Sequence, residues 1–119
     1  MLNIDTHILI YALTGELTAT EKKTLSSAPW SISAIVLWEM AKLSQLKRIE
    51  IDLEDAEVCR TLSKIHTWPI DLAVCRALKK LDFKSDPADE LIAATSLVHH
   101  IPLVTRDHKI KTSKLIGFA

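Results

Sequence analysis

The chain has 119 residues, 48% of them hydrophobic, with two Gly and four Pro, which excludes a disordered or linker-rich polymer and predicts a single domain spanning residues 1–119. Its 15 basic and 15 acidic residues cancel, so no global field draws it to nucleic acid or to an anionic membrane. No apolar run reaches the ~20 residues of a membrane span, and the N-terminus lacks the basic start and cleavage site of a signal peptide. Cys59 and Cys75 have no metal-site spacing and read as small core residues of a reducing compartment, so a cytoplasmic location is expected.

In chain order, Leu2 to Asp5 reads as a buried strand turning into a helix over Thr6 to Leu13. A weaker helix runs from Thr20 to Leu25, and Trp30 to Ser33 is a second strand. Ser33 caps a helix from Ala34 to Leu46, followed by a brief extended piece at Ile49 to Asp52. Helical spacing predicts a helix over Leu53 to Thr67, a third strand at Trp68 to Leu72 and a helix over Ala73 to Leu81. Asp86 and Pro87 then open a helix whose residues Leu91, Ile92, Ala93, Ala94, Leu97 and Val98 leave no polar stripe, which predicts burial on all sides. Pro102 to Thr105 is a fourth strand, Lys109 to Thr112 a short helix or turn, and Leu115 to Phe118 a last strand. Strands alternating with helices predict a three-layer α/β/α architecture on a mostly parallel sheet.

Four acids stand where such a sheet places its ligand crevice: Asp5 after the first strand, Glu39 in the helix after the second, Asp89 at the start of the buried helix and Asp107 after the fourth strand. Like charges gathered there oppose one another's ionisation, and a divalent cation with hard oxygen ligands, Mg²⁺ or Mn²⁺, removes the conflict. Each acid also has a plainer reading. Asp5 and Asp107 can cap the helices that follow, Asp86 can be a cap or a further ligand, and Asp89 can complement a helix dipole. Glu39 interrupts an apolar face, so it must bind metal or pair, with Lys42 as the available partner.

The segments NIDTHILIYAL, SAIVLWEMAKL, DPADELIAATSL and IPLVTRD, in that order, resemble the PIN domain, and most closely the VapC-type toxins of prokaryotic toxin–antitoxin pairs. The resemblance spans essentially the whole chain. It implies a parallel sheet of about five strands in the order 3-2-1-4-5, and a Mg²⁺- or Mn²⁺-dependent endoribonuclease inhibited by a small antitoxin. The family's four acids fall on Asp5, Glu39, Asp89 and Asp107, and its supporting polar positions on Thr6 and Thr105. Asp86 matches an additional acid of the Asp-Pro-x-Asp subgroup. Three positions depart from that subgroup: Glu90 stands where Arg often follows the third acid, Lys42 replaces a Lys one place later, and Lys84-Ser85 replaces a His-Arg pair.

Arg106, Lys109 and Lys111, beside the proposed site, are the candidates for RNA phosphates, with a solvated basic end as the plainer alternative. His7, His99 and His100 read as helix-end residues, and Trp30, Trp38 and Trp68 as core or interface anchors. Leu9, Leu13, Leu17 and Leu25 are expected to present an exposed apolar face to a partner, and a homodimer is left open. A catalytically silent PIN-like module binding protein or RNA is the alternative function. A receiver-type phospho-switch and a haloacid-dehalogenase phosphatase both lack their motifs: Asn3 and Ile4 put no second acid beside Asp5, and His7 stands two residues after it.

Overall fold

The computed structural model describes Met1 to Ala119. Four strands, β1 (Leu2–Ile4), β2 (Trp30–Ser33), β3 (His66–Trp68) and β4 (Leu103–Val104), form one parallel sheet in the order β3-β2-β1-β4. Register is fixed by Asn3 lying opposite both Ser31 and Leu103. The helices are α1 (Thr6–Thr14), α2 (Ala19–Leu25), α3 (Ala34–Gln45), α4 (Ala56–Ser63), α5 (Leu72–Ala77), α6 (Pro87–His99) and α7 (His108–Lys111). Successive strands first add outward from β1 to β3, and then the chain returns to place β4 on the other side of β1. The β1-to-β3 connections, which carry α1 to α4, run across the sheet in one direction, and the β3-to-β4 connection, which carries α5 and α6, runs in the other. The right-handed crossover rule assigns them to opposite faces. The strand order therefore reverses between β1 and β4, which is where an open sheet of this kind leaves its crevice.

The expected fifth strand is reduced to a single parallel bridge between Leu103 and Phe118. The Ser113 hydroxyl accepts the N–H groups of Leu115 and Ile116, turning the chain so that only its last residues reach the sheet. There the Leu103 N–H donates to Gly117 O and the Ala119 N–H to Leu103 O. The third strand is also earlier than its apolar pattern suggested, at His66–Trp68. Pro69 offers no N–H, and Asp71 caps α5 by accepting from Val74 N. The helix expected over Leu53 to Thr67 shortens to α4 because Asp55 caps it, accepting from the N–H groups of Glu57 and Val58.

The main core gathers 17 buried residues, among them Ile4, Ile8, Leu9, Ile32, Met40, Ile92, Leu103 and Ile110. As its composition predicts, α6 is buried in an unbroken run from Ile92 to Ser96. Leu9 and Leu25 belong to this core and Leu13 and Leu17 pack against it, so the hairpin does not expose the apolar face expected of it. The large apolar residues that do face solvent include Trp38, Leu46, Leu72 and Leu115. Of the other tryptophans, Trp30 packs on the core with its Nε1 donating to Leu25 O, and Trp68 stacks on His99. Cys59 and Cys75 are exposed thiols, not core residues. No helix is long and apolar enough to cross a membrane.

Candidate active site

Asp5 ends β1 and caps α1. Its Oδ1 accepts from Thr6 N at 2.7 Å and its Oδ2 from the Thr105 hydroxyl at 2.6 Å. One oxygen of Asp5 therefore serves the helix cap, and the other is held by Thr105. Thr6 donates its hydroxyl to Glu39, one and a half turns into α3. Thr105, just past β4, accepts at the same hydroxyl from the Asp107 N–H at 3.0 Å. Two threonines thus link the carboxylates of Glu39 and Asp5 and the backbone of Asp107 into one string, Glu39–Thr6–Asp5–Thr105–Asp107, across elements that the sheet brings side by side. Asp107 caps α7, with Oδ1 accepting from Lys109 N at 2.8 Å and Ile110 N at 3.1 Å. Asp89, in the first turn of α6, accepts from the Ser85 hydroxyl at 2.9 Å.

Lys42 does not neutralise Glu39: its Nζ bonds to Gln45 Oε1 instead. Asp86 occupies the N-cap of α6, yet its side chain makes no capping bond, so its carboxylate stays free beside Asp89.

Burial and mutual repulsion act on the cluster together. The Asp5 carboxyl is pushed above the usual range by burial, with a smaller push from Asp107, against the opposing hydrogen bonds from Thr105 and Thr6. Glu39 is raised by burial and then by the charges of Asp89 and Asp5, the Thr6 bond opposing. Asp89 is raised by burial and then by Asp5, Asp107 and Asp86, the Ser85 bond opposing. Asp5, Glu39 and Asp89 therefore each feel the charge of at least one other acid named from the sequence.

A pH dependence follows from these shifts. Each raised carboxyl holds its proton more tightly folded than unfolded, so stability falls as pH rises from the ordinary value, 3.8 for Asp and 4.5 for Glu, through the raised one. Above that window the destabilisation is complete, and below it absent. In metal-free buffer the midpoint of Asp5→Asn should therefore gain on that of the parent between acid and neutral pH. Parallel melts across pH check this.

The donors are all hard oxygens, the chemistry that suits Mg²⁺ or Mn²⁺. No group of three or more acidic, His or Cys side chains is drawn up as a ready cage for a bare ion. A hard cation that keeps several waters and touches only one or two carboxylates directly fits such a spread of acids, and its charge offsets the burial and repulsion that raise Asp5, Glu39 and Asp89.

Arg106 corrects the expected phosphate contacts. Its Nε and Nη2 each meet one Glu21 oxygen at 2.6 Å, and its guanidinium lies 4.2 Å over the Tyr11 ring. It ties the Thr-Arg-Asp turn to α2, so its guanidinium is already engaged with Glu21; Lys109 and Lys111 are exposed. This pair holds the Glu21 carboxyl down at about 2, from 4.5. Its contribution is complete above the ordinary value and is lost as pH falls toward 2. The melting difference between parent and Glu21→Gln should be small, since the pair is partly exposed, and should vanish in strong acid.

A family model described as the PIN domain matches residues 3–114. The chain belongs to the PIN-domain family. Ribonuclease VapC22 of Mycobacterium tuberculosis is 30% identical over 87 residues, covering 71% of this chain and 67% of the relative, which agrees with the VapC-type resemblance of the four motifs. Among solved structures, VapBC2 of Rickettsia felis bound to a DNA fragment from its promoter superposes with a TM-score of 0.75 at 17% identity, over 100% of this chain and 98% of that one. A toxin–antitoxin complex from Klebsiella pneumoniae gives 0.69 at 23% identity, over 92% and 88%. At these identities the structures establish the PIN fold alone, and they agree with the parallel sheet and its β3-β2-β1-β4 order.

Two contributors escaped the sequence reading. Asn3 is fully buried, its Nδ2 donating to Ile92 O at 3.0 Å and Ser96 Oγ at 2.9 Å, and so it pins β1, which carries Asp5, against α6, which carries Asp89. A polar residue inside an apolar strand was the available signal. Ser85 was noticed only as a departure from the subgroup.

Proposed function

We propose that this PIN-domain chain is a metal-dependent endoribonuclease, the toxin of a toxin–antitoxin pair, acting in the cytoplasm with Mg²⁺ or Mn²⁺. The observation that carries the reading is the threonine-linked string Glu39–Thr6–Asp5–Thr105–Asp107, with Asp89 electrostatically coupled to it. A divalent cation, when bound, supplies a water of lowered pKa and offsets charge on the phosphate and the leaving oxygen. Asp5 is the central ligand, held in place from both sides by Thr6 and Thr105. Asp89 and Asp107 are direct or water-mediated ligands, and Asp86 is a free acid at their rim. Glu39 is a ligand or the base that takes a proton from the attacking water, for which its raised pKa suits it.

The acids gather around the carboxyl ends of β1 and β4. Beside them His7 heads an open groove of about 920 Å³ that runs along α1 to Lys47 and Arg48, a shape that admits a polymer. Lys109 and Lys111 are the remaining candidates for phosphate contacts. The antitoxin partner is proposed from the relatives, since solved structures of this fold are themselves toxin–antitoxin complexes. Cleavage of mixed RNA oligonucleotides by the purified chain should require Mn²⁺ or Mg²⁺ and stop with chelator. Binding of RNA without cutting, unaffected by the metal, would support the silent module instead.

A further inference from the structure

Two of the positions at which the chain departs from the Asp-Pro subgroup, Ser85 and Glu90, are bonded to each other. The Ser85 N–H donates to Glu90 Oε2 at 3.0 Å, and the Ser85 hydroxyl donates to Asp89 Oδ2 at 2.9 Å. Ser85 lies one residue before the N-cap of α6, so its N–H reaches back to a carboxylate in the first turn while its hydroxyl goes to Asp89. Asp86, the N-cap residue, leaves its own side chain unused as a cap. Both polar groups of Ser85 are thus committed to acids of the first turn of α6, one of them Asp89. A carboxylate's last torsion is broad, and one hydrogen bond to a single oxygen removes that freedom. Asp89 Oδ1 is left without a hydrogen-bond donor. Ser85 and Glu90 are both half-buried, so this contact is shielded from competing water.

We propose that Ser85, braced by Glu90, is a positioning residue for Asp89, fixing its carboxylate in the orientation in which the site takes a divalent cation. The inference rests on the metal-site reading above. It also explains how Glu90, an acid beside a cluster already crowded with acids, is accommodated: its carboxylate is turned back to the Ser85 amide, and it is not among the charges that raise Asp89.

The test is a Mn²⁺ titration followed by thermal midpoint, on the full chain and on Ser85→Ala, Ser85→Thr, Glu90→Gln and Asp89→Asn. Loss of a residue that orients a ligand costs roughly 10–100-fold in metal affinity, so Ser85→Ala should need that much more Mn²⁺ for the same rise. Its metal-free midpoint should change little. Ser85→Thr keeps the hydroxyl and should restore the parent titration, while Glu90→Gln still accepts the Ser85 N–H and should lose little. A Ser85→Ala chain that titrates like the parent, or that only melts lower without metal, makes Ser85 a structural cap and overturns the proposal. If that happens while Asp89→Asn loses the response, the metal site stands and only the role of Ser85 falls. A parent chain unmoved by Mn²⁺ overturns both.

Discussion

Asp5→Asn abolishes the proposed nuclease activity without unfolding the protein. The Asn oxygen can still accept from Thr6 N, and the Thr105 hydroxyl can turn to accept from the new amide, so both anchoring contacts survive in altered form. What is lost is the negative charge at the centre of the string. Residues that merely support a ligand cost 10–100-fold, so loss of the central one should cost at least about a hundredfold in cleavage rate. Removing a buried charge whose pKa is raised by its surroundings also relieves the metal-free fold, and the variant should melt no lower than the parent at neutral pH. Cleavage assays and melts on the same preparations check both halves. Lost activity with a collapsed midpoint would make Asp5 a structural residue.

Asn3→Ala should carry the largest stability penalty among the polar substitutions. The side chain is fully buried and its amide makes two hydrogen bonds into the middle of α6. Truncation removes both bonds, leaves the Ser96 hydroxyl short of a partner and opens a small cavity, together about 2–4 kcal/mol. For a chain of this length the midpoint should fall by on the order of 10 °C. Because Asn3 ties the strand bearing Asp5 to the helix bearing Asp89, activity should drop further than the unfolded fraction accounts for. Thermal melts with activity measured well below the midpoint separate the two effects. Trp38→Ala, at an exposed side chain, is the control that should barely move the midpoint.

The elements that carry Asp5, Asp89 and Asp107 were legible because strand ends and helix starts are written locally, while Glu39 stood out by interrupting an apolar helix face. Asp5 follows a short apolar strand, Asp86-Pro87 announces a helix, and Asp107 follows another strand, so topology alone carries them to one crevice. The links between them were not legible from spacing. Thr105 meets Asp5 across 100 residues and Thr6 meets Glu39 across 33, and only the sheet's register brings them together. The family resemblance marked those threonines, while their hydrogen bonds came from the fold. Strand ends were misread where local chemistry outweighed apolar pattern, as at Pro69 and Asp71 for β3 and at Ser113 for the last strand. Arg106 looked like a free cation because its partner, Glu21, lies 85 residues away in sequence.

Asp5, Glu39, Asp89 and Asp107 are proposed to form one divalent-metal site. Crystals grown with Mn²⁺ and measured for anomalous scattering test it most directly. A Mn²⁺ peak is expected at coordination distance, roughly 2.0–2.2 Å, from an Asp5 oxygen, with Asp89 or Asp107 reached directly or through water. An ordered, intact cluster with no Mn²⁺ peak at millimolar metal, or a peak bound elsewhere on the chain, would contradict it.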